Sequence, residues 1–271
     1  MNFAHVAPLV FLALLALAPL VGLGLALRGS TMSLYQSLLW ATAYLLCKFL
    51  WRTTWLNRLP VADGQGALIV CNHRSSVDPF FVQTATRRKI HWMVAREYCE
   101  HPALRWFLGA CEIIPVNRGG IDTAATKAAI RLAIQGELVG MLPEGRINMS
   151  EQFLLPVRPG AAIVAMKARV PVIPCYIRGA PYRRYSWSPL LLPARVEVRF
   201  GDAVDLADLY DRDDESGIPQ LAMERIIRAL AALAGQSDFQ PQIAGRNWKP
   251  TEQELAKAMD AADQRRKSTN L

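Results

Sequence analysis

The chain has 271 residues, of which 52% are apolar and 20% charged, with a formal net charge of +8. This length suits one or two domains with a sizeable core, and the composition excludes disordered, collagen-like and proline-rich classes. High apolarity joined to excess base points to a partner both greasy and anionic: a membrane first, nucleic acid second.

No Lys, Arg, Asp or Glu occurs before Arg28. The run 6–27 is 22 residues, enough to cross a hydrocarbon core of about 30 Å at about 1.5 Å per residue. Its start lacks a basic n-region, so an uncleaved anchor is expected over a signal peptide. A second uncharged stretch, 29–47, carries Tyr35, Trp40 and Tyr44, and Lys48, Trp51, Arg52, Trp55 and Arg58 follow. Aromatics among bases suit a helix end at a membrane interface, with the bases on the cytoplasmic side. The two segments either both span or form a hairpin in one leaflet. Residues 1–118 hold 11 Lys/Arg against five acids, so the basic excess lies in the part joined to the anchor.

Beyond Pro60, a turn at 61–66 leads into the apolar run 67–71, the pattern of a buried strand. Further strands are predicted at 90–94, 113–116, 138–142, 172–176 and 194–200, with helices at 79–86, 103–108, 123–135 and 161–168. This alternation predicts an α/β fold with a mixed, largely parallel sheet flanked by helices, preceded by an N-terminal membrane helix pair. In 195–199 charges alternate with valines, the pattern of an edge strand with one wet face. Met223, Ile226, Ile227 and Leu230 share one face of a predicted amphipathic helix. The expected organisation is membrane-anchoring helices at 1–58, a folded domain at 59–235 and a polar tail at 236–271. Five scattered cysteines, without a CxxC, fit buried residues in a reducing compartment.

The chemistry concentrates in Asn72-His73-Arg74-Ser75-Ser76-Val77-Asp78-Pro79. His73 leaves the carboxyl end of a predicted strand, where open α/β sheets place their sites. Asp78-Pro79 reads as an N-cap followed by Pro at the first helical position. From there the carboxylate can fold back to the imidazole, fixing its tautomer and leaving the second nitrogen as a base. The alternative is an ordinary capping Asp beside a surface His. Ser75 and Ser76 lie outside any G-x-S-x-G elbow and read as turn residues. No P-loop, G-x-G-x-x-G or H-E-x-x-H occurs, so no nucleotide or metal cofactor is implied. Asn148-Met149-Ser150 matches a glycosylation sequon, which a cytoplasmic domain would not use.

The block Asn72-His73 to Asp78 resembles the NHx4D block of the glycerolipid acyltransferases. Three further blocks follow in the family's order. Gly109 to Arg118 is similar to the second, and Met141-Leu142-Pro143-Glu144-Gly145-Arg146 resembles the third. Val170-Pro171-Val172-Ile173-Pro174 matches the V-P-[IV]-[IV]-P block. Arg158-Pro159-Gly160-Ala161 resembles the turn before the helix that leads into it. The third block departs in one respect: Arg146 follows Gly145 directly, where the family usually has Thr between them.

The resemblance covers about residues 60–235. It implies acyl transfer from acyl-CoA or acyl-carrier protein to the free hydroxyl of a lysophospholipid such as 1-acyl-glycerol-3-phosphate, giving phosphatidic acid. His73 would be the general base and Asp78 its orienting carboxylate. Asn72, Arg118, Glu144, Gly145 and Arg146 would bind substrate, with Arg118 clamping phosphate and Glu144 fixing an Arg or a substrate hydroxyl. The thioester is already activated, so no enzyme nucleophile is required, and a base near neutral pH contributes about 10²–10⁴-fold. Membrane lipid is the further expected partner, at the inner membrane with the active domain facing the cytoplasm. Two other readings share the sequence: the same chemistry on another lysolipid, such as a lyso-ornithine or glycosylated lipid, and a non-catalytic membrane-binding protein. Intact His73 and Asp78 argue against the second, and the absence of a recognised motif argues against nucleic acid.

Overall fold

The computed structural model describes residues 32–117, 122–182, 187–212 and 215–244. The run 6–27, Arg118 and most of the polar tail lie outside them.

A capping box opens the first described helix, α1 (Leu34–Leu45): Ser33 Oγ accepts from Gln36 N, and Gln36 Oε1 accepts from Ser33 N. α1 has 12 residues and runs into a π-helical turn at Leu46–Leu50. Among the described residues no helix is long and apolar enough to cross a membrane. The expected second membrane segment is therefore a short helix whose inner face joins the folded domain. Trp40 and Tyr44 are committed there too. Trp40 Nε1 donates to the carbonyls of Gln83 and Thr86. Tyr44 stacks between Trp40 and Trp55, and Trp51 is fully buried.

Two residues, Thr54–Trp55, form β1 and pair in parallel with a late strand. Sheet and core thus reach back across residue 58, where the sequence placed a domain boundary. Then follow β2 (Ala67–Cys71), α2 (Asp78–Gln83), β3 (Ile90–Ala95), α3 (Arg96–Cys99), α4 (Pro102–Ala110), β4 (Ile114–Val116) and α5 (Thr123–Ile134). The chain continues through β5 (Leu138–Met141), α6 (Gly160–Ala168), β6 (Val172–Arg178), β7 (Glu197–Phe200) and α7 (Ile218–Leu233).

The sheet order is β1-β7-β6-β2-β5-β3-β4. The five strands from β6 to β4 are parallel, while β7 runs antiparallel to β6 and carries β1 parallel to itself. β7 is thus not the edge strand that its alternating charges suggested, since β1 covers it. Its exposed–buried alternation holds all the same.

β2 is buried at every position, so both faces of the sheet are covered. Leu68 and Val70 face a core shared with α5, α6 and α7, where Ala125, Ala129, Ala162 and Ala165 let the helices approach closely. Ile69 and Cys71 face the other core, which is aromatic and built on Trp51, Phe81 and Trp92. Gly140 on β5 makes room there: a Cβ would stand 2.5 Å from the Trp92 ring. The predicted face of α7 is confirmed, with Met223, Ile226, Ile227 and Leu230 fully buried.

After α7 the chain returns to the segment following β5. Val157 N donates to Gln242 O, Ala244 N donates to Val157 O, and Phe239 meets Phe153 edge-on.

Candidate active site

β2 delivers Asn72 and His73 to the carboxyl end of the parallel sheet, and β5 delivers Glu144 beside them. Asn72 is buried, and both ends of its amide are taken by Ile177: Nδ2 donates to Ile177 O at 2.9 Å, and Oδ1 accepts from Ile177 N at 2.8 Å. The side chain extends the β2–β6 ladder by one rung. It supports the strand end from which His73 projects.

His73 Nδ1 lies 3.0 Å from Asp78 Oδ2. A carboxylate at that distance is satisfied by an Nδ1–H, which leaves Nε2 as the basic nitrogen. Asp78 is fully buried, and the same Oδ2 accepts from Arg74 N and Ser75 N, each at 2.7 Å. The sequence reading of Asp78 as an N-cap is thus corrected. α2 begins at Asp78, its N-cap is Val77 without a side-chain bond, and the carboxylate points back into the turn before the helix. Ser75 is a buried turn residue, its Oγ accepting from Val77 N.

Glu144 is 4% exposed. Oε1 accepts from His73 N at 2.7 Å and Oε2 from Leu155 N at 2.9 Å. Each carboxylate oxygen thus meets one main-chain amide. Burial pushes its carboxyl up to about 7, against the lowering pull of those two donors. Gly145 turns the chain at φ +66°, a left-handed conformation that suits glycine. Arg146 follows, partly buried. Asn148 N donates to His73 O at 2.7 Å, closing this loop on the His73 turn. The Asn148 side chain is buried and bonded to Gln152 O and Ser150, so the sequon is sequestered.

Arg74, to which sequence reading gave no role, donates from Nη1 to the carbonyls of Asn148 and Ser150 and from Nη2 to that of Gln152. No local signal announces this, because the partners lie more than 70 residues away. Arg118 follows Asn117, which leaves the carboxyl end of β4. Asn117 N donates to Asp122 Oδ2, and Arg96 Nε to Asn117 Oδ1. The Ala125 and Asn117 amides hold the Asp122 carboxyl below its usual range.

The arrangement can hold an oriented imidazole against an incoming hydroxyl. The Acyltransferase family matches residues 53–178, which contain both loops. That match supports the resemblance of the sequence blocks to the glycerolipid acyltransferases. It is similar to the 1-acyl-sn-glycerol-3-phosphate acyltransferases of Streptococcus pneumoniae, with 26% identity over 61% of this chain and 60% of that one, and of Bacillus subtilis, with 25% identity over 53% and 69%. The match thus spans about two thirds of these relatives or less. The fold resembles the crystal structure of the 1-acyl-sn-glycerophosphate (LPA) acyltransferase PlsC from Thermotoga maritima, at 16% identity and a TM-score of 0.55, covering 83% of this chain and 94% of that one. The His73 turn is where the family resemblance and the geometry coincide.

Proposed function

We propose that the chain is a membrane-associated 1-acyl-glycerol-3-phosphate O-acyltransferase that makes phosphatidic acid from acyl-CoA or acyl-carrier protein. The observation that carries this reading is the His73–Asp78 pair, with Nδ1 spent on a buried carboxylate at the carboxyl end of a central parallel strand. His73 Nε2 takes the proton of the acceptor hydroxyl as its oxygen attacks the thioester carbonyl carbon. The tetrahedral adduct collapses with cleavage of the C–S bond. The proton on Nε2 passes to the departing thiolate, which returns His73 to its neutral form. Arg118 and Arg146 meet the acceptor phosphate, a role suited to guanidinium.

Attachment to the inner membrane, with the active domain facing the cytoplasm, is supported by the uncharged N-terminal run. It is also supported by the exposed apolar face of α1 and the π-helical turn: Leu34, Leu38, Leu45 and Phe49. Acylation of a lysolipid other than lysophosphatidate is the second reading, favoured by the missing Thr in the third block.

The test is acyl transfer by membranes carrying the protein or His73→Ala, with labelled acyl-CoA or acyl-carrier protein and a panel of lysolipids. Phosphatidic acid formed only with His73 is the expected result. Transfer confined to another acceptor selects the second reading, and no transfer by folded protein overturns both.

A further inference from the structure

The side chain of Arg74 reaches away from Asp78 while its main chain serves it. Its N–H donates to Asp78 Oδ2, the oxygen that holds His73. Its guanidinium spans three carbonyls of the facing loop: Asn148 O at 3.2 Å, Ser150 O at 2.6 Å and Gln152 O at 2.7 Å. That loop begins at Gly145-Arg146, just after β5. Two more ties join the same pieces of chain, Asn148 N to His73 O and His73 N to Glu144 Oε1. Three carbonyls converging on one planar cation form a rigid clamp, which a flexible ammonium cannot reproduce.

We propose that Arg74 is a positioning residue for acyl transfer: it fixes the 146–152 loop, and with it Arg146, at a set distance from His73. The proposal rests on the function proposed above, in which Arg146 meets the acceptor phosphate. Geometry of this kind matters because a misplacement of about 1 Å costs on the order of 100-fold in rate. The donor thioester has no part in the clamp, so the effect belongs to the acceptor.

The experiment compares the full-length wild type with Arg74→Gln and Arg74→Lys. For Arg74→Gln we expect the KM for lysophosphatidate to rise on the order of 10-fold, with the donor KM unchanged. The pH at which the histidine-dependent limb falls stays in place, because the Arg74 N–H still serves Asp78. Arg74→Lys recovers only part of the acceptor KM. Hydrogen exchange, read without substrate, quickens at the amides of 146–152 in Arg74→Gln and nowhere else. A wild-type acceptor KM in Arg74→Gln overturns the proposal. So does a fall in kcat alone that tracks the folded fraction, with exchange quickened throughout. If the wild type transfers no acyl group, the function proposed above fails instead, and the exchange comparison alone decides whether Arg74 holds the loop.

Discussion

The turn after β2 and the outer face of α1 invert each other. Around His73 polar groups are buried: Asn72, Asp78, Glu144 and Asn148 all lie inside, each bonded to main chain. Along α1 and its π-helical turn apolar groups are exposed, Phe49 at 75%. Soluble domains ordinarily do the opposite on both counts. The first departure creates a fixed field of dipoles, since each of these four side chains has a committed main-chain partner. The second leaves an apolar surface without a protein partner among the described residues, which suits lipid.

The inversion can be tested by removing one group at a time. His73→Ala has the largest expected effect, a loss of about 10³-fold or more in acyl transfer with the melting temperature near wild type. Retained activity would show the buried polar set to be structural alone.

Glu144→Gln comes next. The folded carboxyl stands at about 7, above its ordinary value of about 4.3. The advantage of the neutral form is therefore complete below that ordinary value and is lost as pH rises through about 7. Wild-type stability should fall over this window relative to Glu144→Gln, by about 3 kcal/mol. Parallel stability curves for the two proteins would place the charge elsewhere.

Asn72→Ala leaves the Ile177 N–H and C=O unpaired in a buried position, at a cost of about 2 kcal/mol readable by denaturant unfolding. A raised acceptor KM with unchanged stability would instead return Asn72 to substrate binding.

Phe49→Asp has the smallest effect on the fold, within about 0.5 kcal/mol. Its binding to anionic vesicles should weaken by about 1 kcal/mol, read by sedimentation. Unchanged binding would break the lipid half of the comparison.

Sequence reading succeeded where pattern is local. β2 was read to its exact bounds because five buried residues follow a turn, and the buried face of α7 followed from helical spacing. It failed where partners are distant. Asp78-Pro79 looks like a cap in any window of the sequence, and only the folded turn shows Arg74 N and Ser75 N competing for that carboxylate. The Glu144–His73 and Arg74–Ser150 bonds span 71 and 76 residues, beyond the reach of periodicity. Trp40, Tyr44, Trp51 and Trp55 have the composition of an interfacial belt, yet they pack against α2 and its neighbours. Composition does not distinguish burial in lipid from burial in protein.

The return of the chain at 239–244 has a practical consequence. Leu155, which donates to Glu144, lies two residues from Val157, where Gln242 and Ala244 are bound. A protein shortened to end at Gly235 would keep every strand and helix described. It would nonetheless lose the knot that holds the far end of the Glu144 loop, and so would fold as before while working poorly.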